Sequence, residues 1–115
     1  MLAIATLAGV FACHTRPQIS EADAREQLRR GALVVDVRTT GEYRSRHLAN
    51  TINIPLSELK DRVPAVVTNK GQILLLHCLS GHRSAIAESE LRSWGYTNAF
   101  SIGSFGRAEK ILGPP

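Results

Sequence analysis

Aromatic residues are scarce in this chain of 115 residues, at 5% of the total. A core must therefore be built from Leu, Ile, Val and Ala. The only cysteines are Cys13 and Cys78, which is too few for a disulfide framework. The longest apolar run, Leu2 to Ala12, is eleven residues, whereas a membrane-spanning helix needs about 20. Low-complexity segments and internal repeats are missing, and the length allows one domain rather than two. Basic residues are scattered apart from Arg29-Arg30 and Arg44/Arg46, and no aromatics interleave with them. That argues against nucleic-acid binding. The net charge of +4 fits a small anionic substrate instead.

Charge is also missing from residues 1–12, which carry no ionisable side chain. Such a run matches the apolar core of a secretory signal, although the basic residues that usually precede one are not there. Val10-Phe11-Ala12-Cys13 resembles the lipobox of bacterial lipoproteins, in which the cysteine is lipidated; Phe11 fits it poorly. Three readings stand: a lipoprotein signal with Cys13 as the lipidated residue, a plain export segment, or a buried N-terminal strand or helix. Residues 1–13 are assigned as an export or lipoprotein signal, 14–17 as a linker and 18–112 as the folded domain. This predicts an exported protein, periplasmic or lipid-anchored, touching a membrane only through that anchor. In an oxidising compartment a pairing of Cys13 with Cys78 is the alternative, and it would silence Cys78.

The rest is organised around Ile73 to Ser84, I-L-L-L-H-C-L-S-G-H-R-S. Four consecutive large apolar residues, Ile73 to Leu76, predict a strand buried on both faces, as inside a parallel sheet. Ser80 and Gly81 are turn chemistry. Arg83 and Ser84 then open a helix in which Ala87, Leu91 and Trp94 share a face. Cys78 thus lies at the carboxyl end of a strand, in a short loop that feeds a helix. Open α/β sheets place their ligands there, and unpaired amides and the helix dipole favour an anion. A thiol so placed near an arginine can fall from a pKa of about 8.5 to roughly 3.5–7.5 and act as a nucleophile. Gly81 permits a positive φ that turns loop amides inward.

Upstream, Ser20 caps a helix carrying Ala24 and Leu28 and ending at Gly31. A strand follows over Leu33–Val37, then a short helix from Thr39 to Arg46 and a strand over Ile52–Ile54. Ser57 is expected to cap a helix with Leu59, Val63 and Val66 on one face, broken at Pro64. After the Cys78 loop come a helix ending at Gly95, a strand over Ala99–Ile102 and a last helix over 104–112. The alternation predicts an α/β fold, a parallel sheet with helices on both faces.

Cys78-Leu79-Ser80-Gly81-His82-Arg83-Ser84 resembles the active-site loop of the rhodanese family, C-x-x-G-x-R followed by a small residue. Asp36-Val37-Arg38, Glu42-Tyr43, His47-Leu48 and Ile52-Asn53-Ile54-Pro55 resemble that family's N-terminal signature in order and spacing. The resemblance covers about Gln18 to Leu112. It implies a rhodanese-like parallel sheet of about five strands with helices on both faces, and a two-step sulfur transfer through a persulfide. Cys78 would be the nucleophile and Arg83 would orient the donor's anionic end. Backbone amides of residues 79–83 would cradle the sulfur, with Leu79, Ser80, Gly81, His82 and Ser84 lining the substrate site. Asp36, Arg38, Glu42 and His47 would be structural supports, with Arg38 paired to Glu42. A small anionic sulfur donor and a thiol acceptor, such as a thioredoxin-like protein, would be the partners. No metal or organic cofactor is implied.

The sequence departs from the family pattern at two places. The residue before the cysteine is His77, expected as an accessible strand-end side chain or as an influence on the Cys78 thiolate. The usual Gly-Gly pair is Gly103-Ser104 and precedes Phe105, so the last helix is expected to pack differently. Loop length separates the chemistries: cysteine phosphatases use C-x5-R to wrap a phosphoryl group, whereas Arg83 makes this C-x4-R. The shorter cradle suits one sulfur atom. A low-turnover persulfide carrier or binding module is the alternative, a phosphatase the remoter one.

Overall fold

The apolar stretches around Val34 and Leu75 form the two central strands of a single sheet, in a computed structural model that describes residues 17–113. In chain order the elements are α1 (Glu21–Arg29), β1 (Leu33–Asp36), α2 (Thr40–Ser45), β2 (Thr51–Asn53) and, after a 3₁₀ turn at Leu56–Glu58, α3 (Leu59–Val66). They continue with β3 (Leu74–His77), α4 (His82–Ser93), β4 (Ala99–Gly103) and α5 (Phe105–Leu112). The sheet runs β2-β1-β3-β4 with every pair parallel. The expected α/β class therefore holds, but the described residues supply four strands rather than about five. Of the signal and linker assigned to residues 1–17, residues 1–16, Cys13 included, lie outside the described residues.

Helices cover both faces, so every residue of β3 is buried and Leu74, Leu75 and Leu76 are wholly enclosed. Each such leucine contributes about 1.5–3 kcal/mol relative to exposure. Alternation along the strands sorts the side chains into two layers. Val35, Val37, Leu74, Leu76 and Cys78 pack with Leu59, Val63, Ala87 and Leu91 of α3 and α4. Val34, Leu75 and Ile102 pack with Ala24, Phe105, Ala108 and Ile111 of α1 and α5. The nucleophile candidate and its neighbour His77 therefore point to opposite layers.

Two local expectations are corrected. Ser57 is not a cap: it lies inside the 3₁₀ turn, and α3 starts from Glu58 without a side-chain cap bond. Nor does Pro64 break the helix, which runs through it to Val66. The bond that Pro64 removes would end on Lys60, and both residues are exposed, so water can take that carbonyl. Leu59 and Val63 are buried as expected, while Val66 is 52% exposed. By contrast, Ser20 caps α1 by accepting from the Asp23 amide at 3.0 Å, and Gly31 and Gly95 follow α1 and α4 with positive φ.

Candidate active site

A helix leaves its first amides without partners, and a Ser, Thr, Asp or Asn at the N-cap ordinarily supplies the acceptor. At α4 the N-cap is Gly81, which has no side chain to offer and sits at φ 99°. The sulfur of Cys78 takes that place. Its Sγ accepts from the Gly81 amide at 3.1 Å and from the Ser84 amide, third in the helix, at 3.4 Å. The Ser84 hydroxyl lies 3.7 Å away. Burial by itself raises the Cys78 pKa, but bonds from the Ser84 amide and hydroxyl and from the Gly81 and Arg83 amides outweigh it and leave it lowered. A thiolate is what this cradle holds best.

The loop is pinned to the β4–α5 corner. The Cys78 amide donates to Gly103 O at 3.2 Å and the Phe105 amide to Leu79 O at 3.1 Å, with a lone antiparallel bridge between Ser80 and Ser104. Gly81 lies against Gly103, where an added Cβ would make an ordinary contact, 3.5 Å from the Gly103 Cα. Ser104, in place of the family's glycine, caps α5 by accepting from the Arg107 amide at 3.1 Å. The substitution supplies a helix start, and Phe105 is buried.

Cys78 is fully buried, whereas Leu79, Ser80 and His82 are exposed around the mouth of the loop. Arg83 is at the rim, and its guanidinium gives two bonds to Glu42, at 2.7 and 3.0 Å. Those bonds come first among the causes that hold the Glu42 carboxyl at about 2 and raise Arg83. This corrects the expected pairing of Arg38 with Glu42. Arg38 instead grips Asp36 of β1, with Nη2 2.7 Å and Nε 3.0 Å from the carboxylate, and donates from Nη2 to Arg46 O. Asp36 lies at the buried end of β1, while Glu42 lies in the first turn of α2, capped by Thr39 in a reciprocal box and facing the loop.

The other signature residues brace the same corner. Asn53 donates to Asp36 O and Arg38 O at 3.0 and 2.9 Å, tying β2 to the exit of β1. His47 is exposed; its Nδ1 lies 2.9 Å from Tyr43 O and its ring stacks on Tyr43 at 3.9 Å. Tyr43 in turn donates to Thr51 O at 2.6 Å.

Two residues have positions the sequence did not suggest. Ser101 is buried in β4 and donates to the Ser84 hydroxyl at 2.9 Å; a serine in an otherwise apolar central strand is the signal that could have found it. His77, expected to be accessible, is wholly buried. Its Nδ1 is 3.2 Å from Cys78 O, its Nε2 is 3.6 Å from Asp36 Oδ2, and Phe105 packs edge-on at 5.7 Å.

The family described as "Rhodanese-like domain" matches residues 20–105. The chain is 35% identical over 69 residues to the thiosulfate sulfurtransferase PspE of Escherichia coli (strain K12), covering 60% of this chain and 66% of PspE. It is 33% identical to a tRNA sulfurtransferase of Thermoplasma acidophilum, covering 61% of this chain and 14% of that protein. The chain thus spans less than two thirds of the length of these relatives. Among solved structures, an E. coli rhodanese with anions superposes with a TM-score of 0.64 at 31% identity, covering 67% of this chain and 91% of that one. The human single-domain sulfurtransferase TSTD1 gives 0.65 at 28% identity, covering 79% and 90%. The parallel sheet, the Cys78 loop and the family match over residues 20–105 agree: the chain belongs to the rhodanese-like domain family.

Proposed function

We propose that the protein is a sulfurtransferase that carries a sulfane sulfur on Cys78. The observation that carries this reading is the Cys78 sulfur seated as the acceptor at the start of α4, under the Gly81 and Ser84 amides. In the first step the thiolate attacks the outer sulfur of a donor such as thiosulfate. The bond between that sulfur and the sulfonate breaks, and sulfite leaves with the electron pair. In the second, cyanide or a thiolate attacks the outer sulfur of the Cys78 persulfide and regenerates the Cys78 thiolate. This is covalent catalysis with ping-pong kinetics.

The exposed Leu79, Ser80 and His82 line the donor's approach, and the amides around Gly81 hold the anionic sulfur. Arg83 meets the donor at the rim, where the donor's charge competes with Glu42 for the guanidinium. The C-x4-R spacing favours a single sulfur over a phosphoryl group. The acceptor in the cell is a thiol, small or on a thioredoxin-like protein, with cyanide serving in the assay.

The test is thiosulfate:cyanide sulfurtransferase activity of the full chain beside Cys78→Ala, with an aryl-phosphate assay in parallel. Thiocyanate formation that disappears in Cys78→Ala is the expected result. Folded protein without thiocyanate formation would favour the low-turnover carrier. Phosphate release dependent on Cys78 would overturn the reading.

A further inference from the structure

The ring of His77 is enclosed in the α1/α5 layer and plays no part in the chemistry above. Both ring nitrogens face oxygen acceptors, the Cys78 carbonyl at 3.2 Å and the Asp36 carboxylate at 3.6 Å, and Nε2 has no hydrogen-bond partner. Burial first, and Arg38 with it, lower the His77 pKa against the opposing pull of Asp36 and the Cys78 carbonyl. The ring is therefore neutral at neutral pH and has one proton to place. Only the Nδ1 contact is within hydrogen-bonding distance. The Asp36 carboxylate, moreover, already receives the Arg38 side chain and amide.

We infer that His77 is a positioning residue for Cys78: with its proton on Nδ1, it holds the Cys78 carbonyl from the sheet face opposite the sulfur. That carbonyl belongs to the first peptide of the active loop. The same peptide unit carries the Leu79 amide, and the Leu79 carbonyl is held by Phe105, whose ring packs on His77. One buried ring thus bonds the Cys78 carbonyl and packs on the residue whose amide holds the Leu79 carbonyl. A donor at the Cys78 carbonyl also polarises the Leu79 amide as a donor toward an incoming anion, since linked hydrogen bonds reinforce one another.

The inference rests on Cys78 being the reactive thiol but not on sulfur transfer, and its readouts need no turnover. The experiment compares Cys78 alkylation by iodoacetamide in the full chain and in His77→Asn, His77→Gln and His77→Phe, with thermal unfolding recorded for each. An Asn amide reproduces the Nδ1 donor, a Gln amide the Nε2 position, and Phe neither. Alkylation near the wild-type rate in His77→Asn, with a fall of roughly 3- to 10-fold in His77→Gln and His77→Phe, is expected for loss of one hydrogen bond. Equal rates in Asn and Gln would overturn it. Nitrogen-15 NMR of the wild-type ring is a second reading that does not depend on variants folding. A proton on Nδ1 at neutral pH is expected, and a proton on Nε2 would contradict the proposal. Because sulfur transfer is scored separately, either claim can fail while the other stands.

Discussion

At Cys78 two effects oppose each other. Enclosure disfavours the thiolate, and hydrogen bonds from α4 favour it more strongly. The sign follows: the folded pKa lies below the unfolded one, so thiolate formation stabilises the fold above the unfolded pKa, and that stability is lost as pH falls through the folded value. Removing one donor reverses part of this. Ser84→Ala leaves the amide bond and deletes the hydroxyl, so the pH profile of Cys78 alkylation moves upward. On the acid limb of that profile the rate falls about tenfold, the lower end for a bond to a charged group. An unmoved profile would mean that the hydroxyl's proton stays with Gly81 O or Gly103 O, at 3.1 and 3.3 Å. Cys78, Gly81, Arg83 and Ser84 were legible in the sequence because turn chemistry behind a buried strand fixes where a cysteine must lie. Which acid meets which arginine was not. Asp36, Glu42, Arg38 and Arg83 could pair in more than one way, and only the direction of β1 and the cap of α2 decide.

At the scale of elements, the loop depends on a backbone conformation that only glycine adopts freely. Gly81 has φ 99°, and an added Cβ would meet Gly103 at ordinary contact distance. The cost of Gly81→Ala is therefore backbone strain rather than a clash, about 1–2 kcal/mol. Thermal unfolding should show that loss together with slower Cys78 alkylation, because the displaced amide is one of those that donate to the sulfur. Unchanged alkylation would mean that the Ser84 amide suffices. The strands were readable as apolar runs and the cap of α1 as a short motif, whereas the Thr39–Glu42 box that starts α2 emerges only in the structure. Helix α3 misled because its two cues, Ser57 and Pro64, are local, whereas the helix is held by Leu59 and Val63 packing under the sheet. His77 misled differently. Its period-2 relation to Leu75 places it under α5, a consequence of alternation that its position at a strand end obscured.

Across the whole molecule the buried charges set the acid limit. His77 has a folded pKa below its ordinary 6.5, so the unfolded chain takes up its proton first. Stability is then fully present above about pH 6.5 and is lost as pH falls toward the folded value. The charged groups facing the ring are Asp36 and Arg38 of the β1 end, while Phe105, which packs on it, carries the Arg46 guanidinium over its own ring at 4.8 Å. The Glu42–Arg83 pair weakens lower, between the ordinary 4.5 and about 2. Urea unfolding at several pH values should therefore show stability falling below pH 6.5, and a flatter curve in His77→Phe. An identical slope in that variant would place the loss elsewhere. Removing Asp36 is more damaging. Asp36→Ala strands the Arg38 charge, only 5% exposed, and should cost about 3–5 kcal/mol, read as a lower urea midpoint.

Whether Cys78 takes up a sulfur atom is read from the intact mass of the full chain after exposure to thiosulfate. The expected result is a gain of one sulfur atom, absent in Cys78→Ala and removed by cyanide with the release of one equivalent of thiocyanate. Folded protein with a reactive Cys78 thiolate that gains no sulfur, or gains it equally in Cys78→Ala, would contradict it.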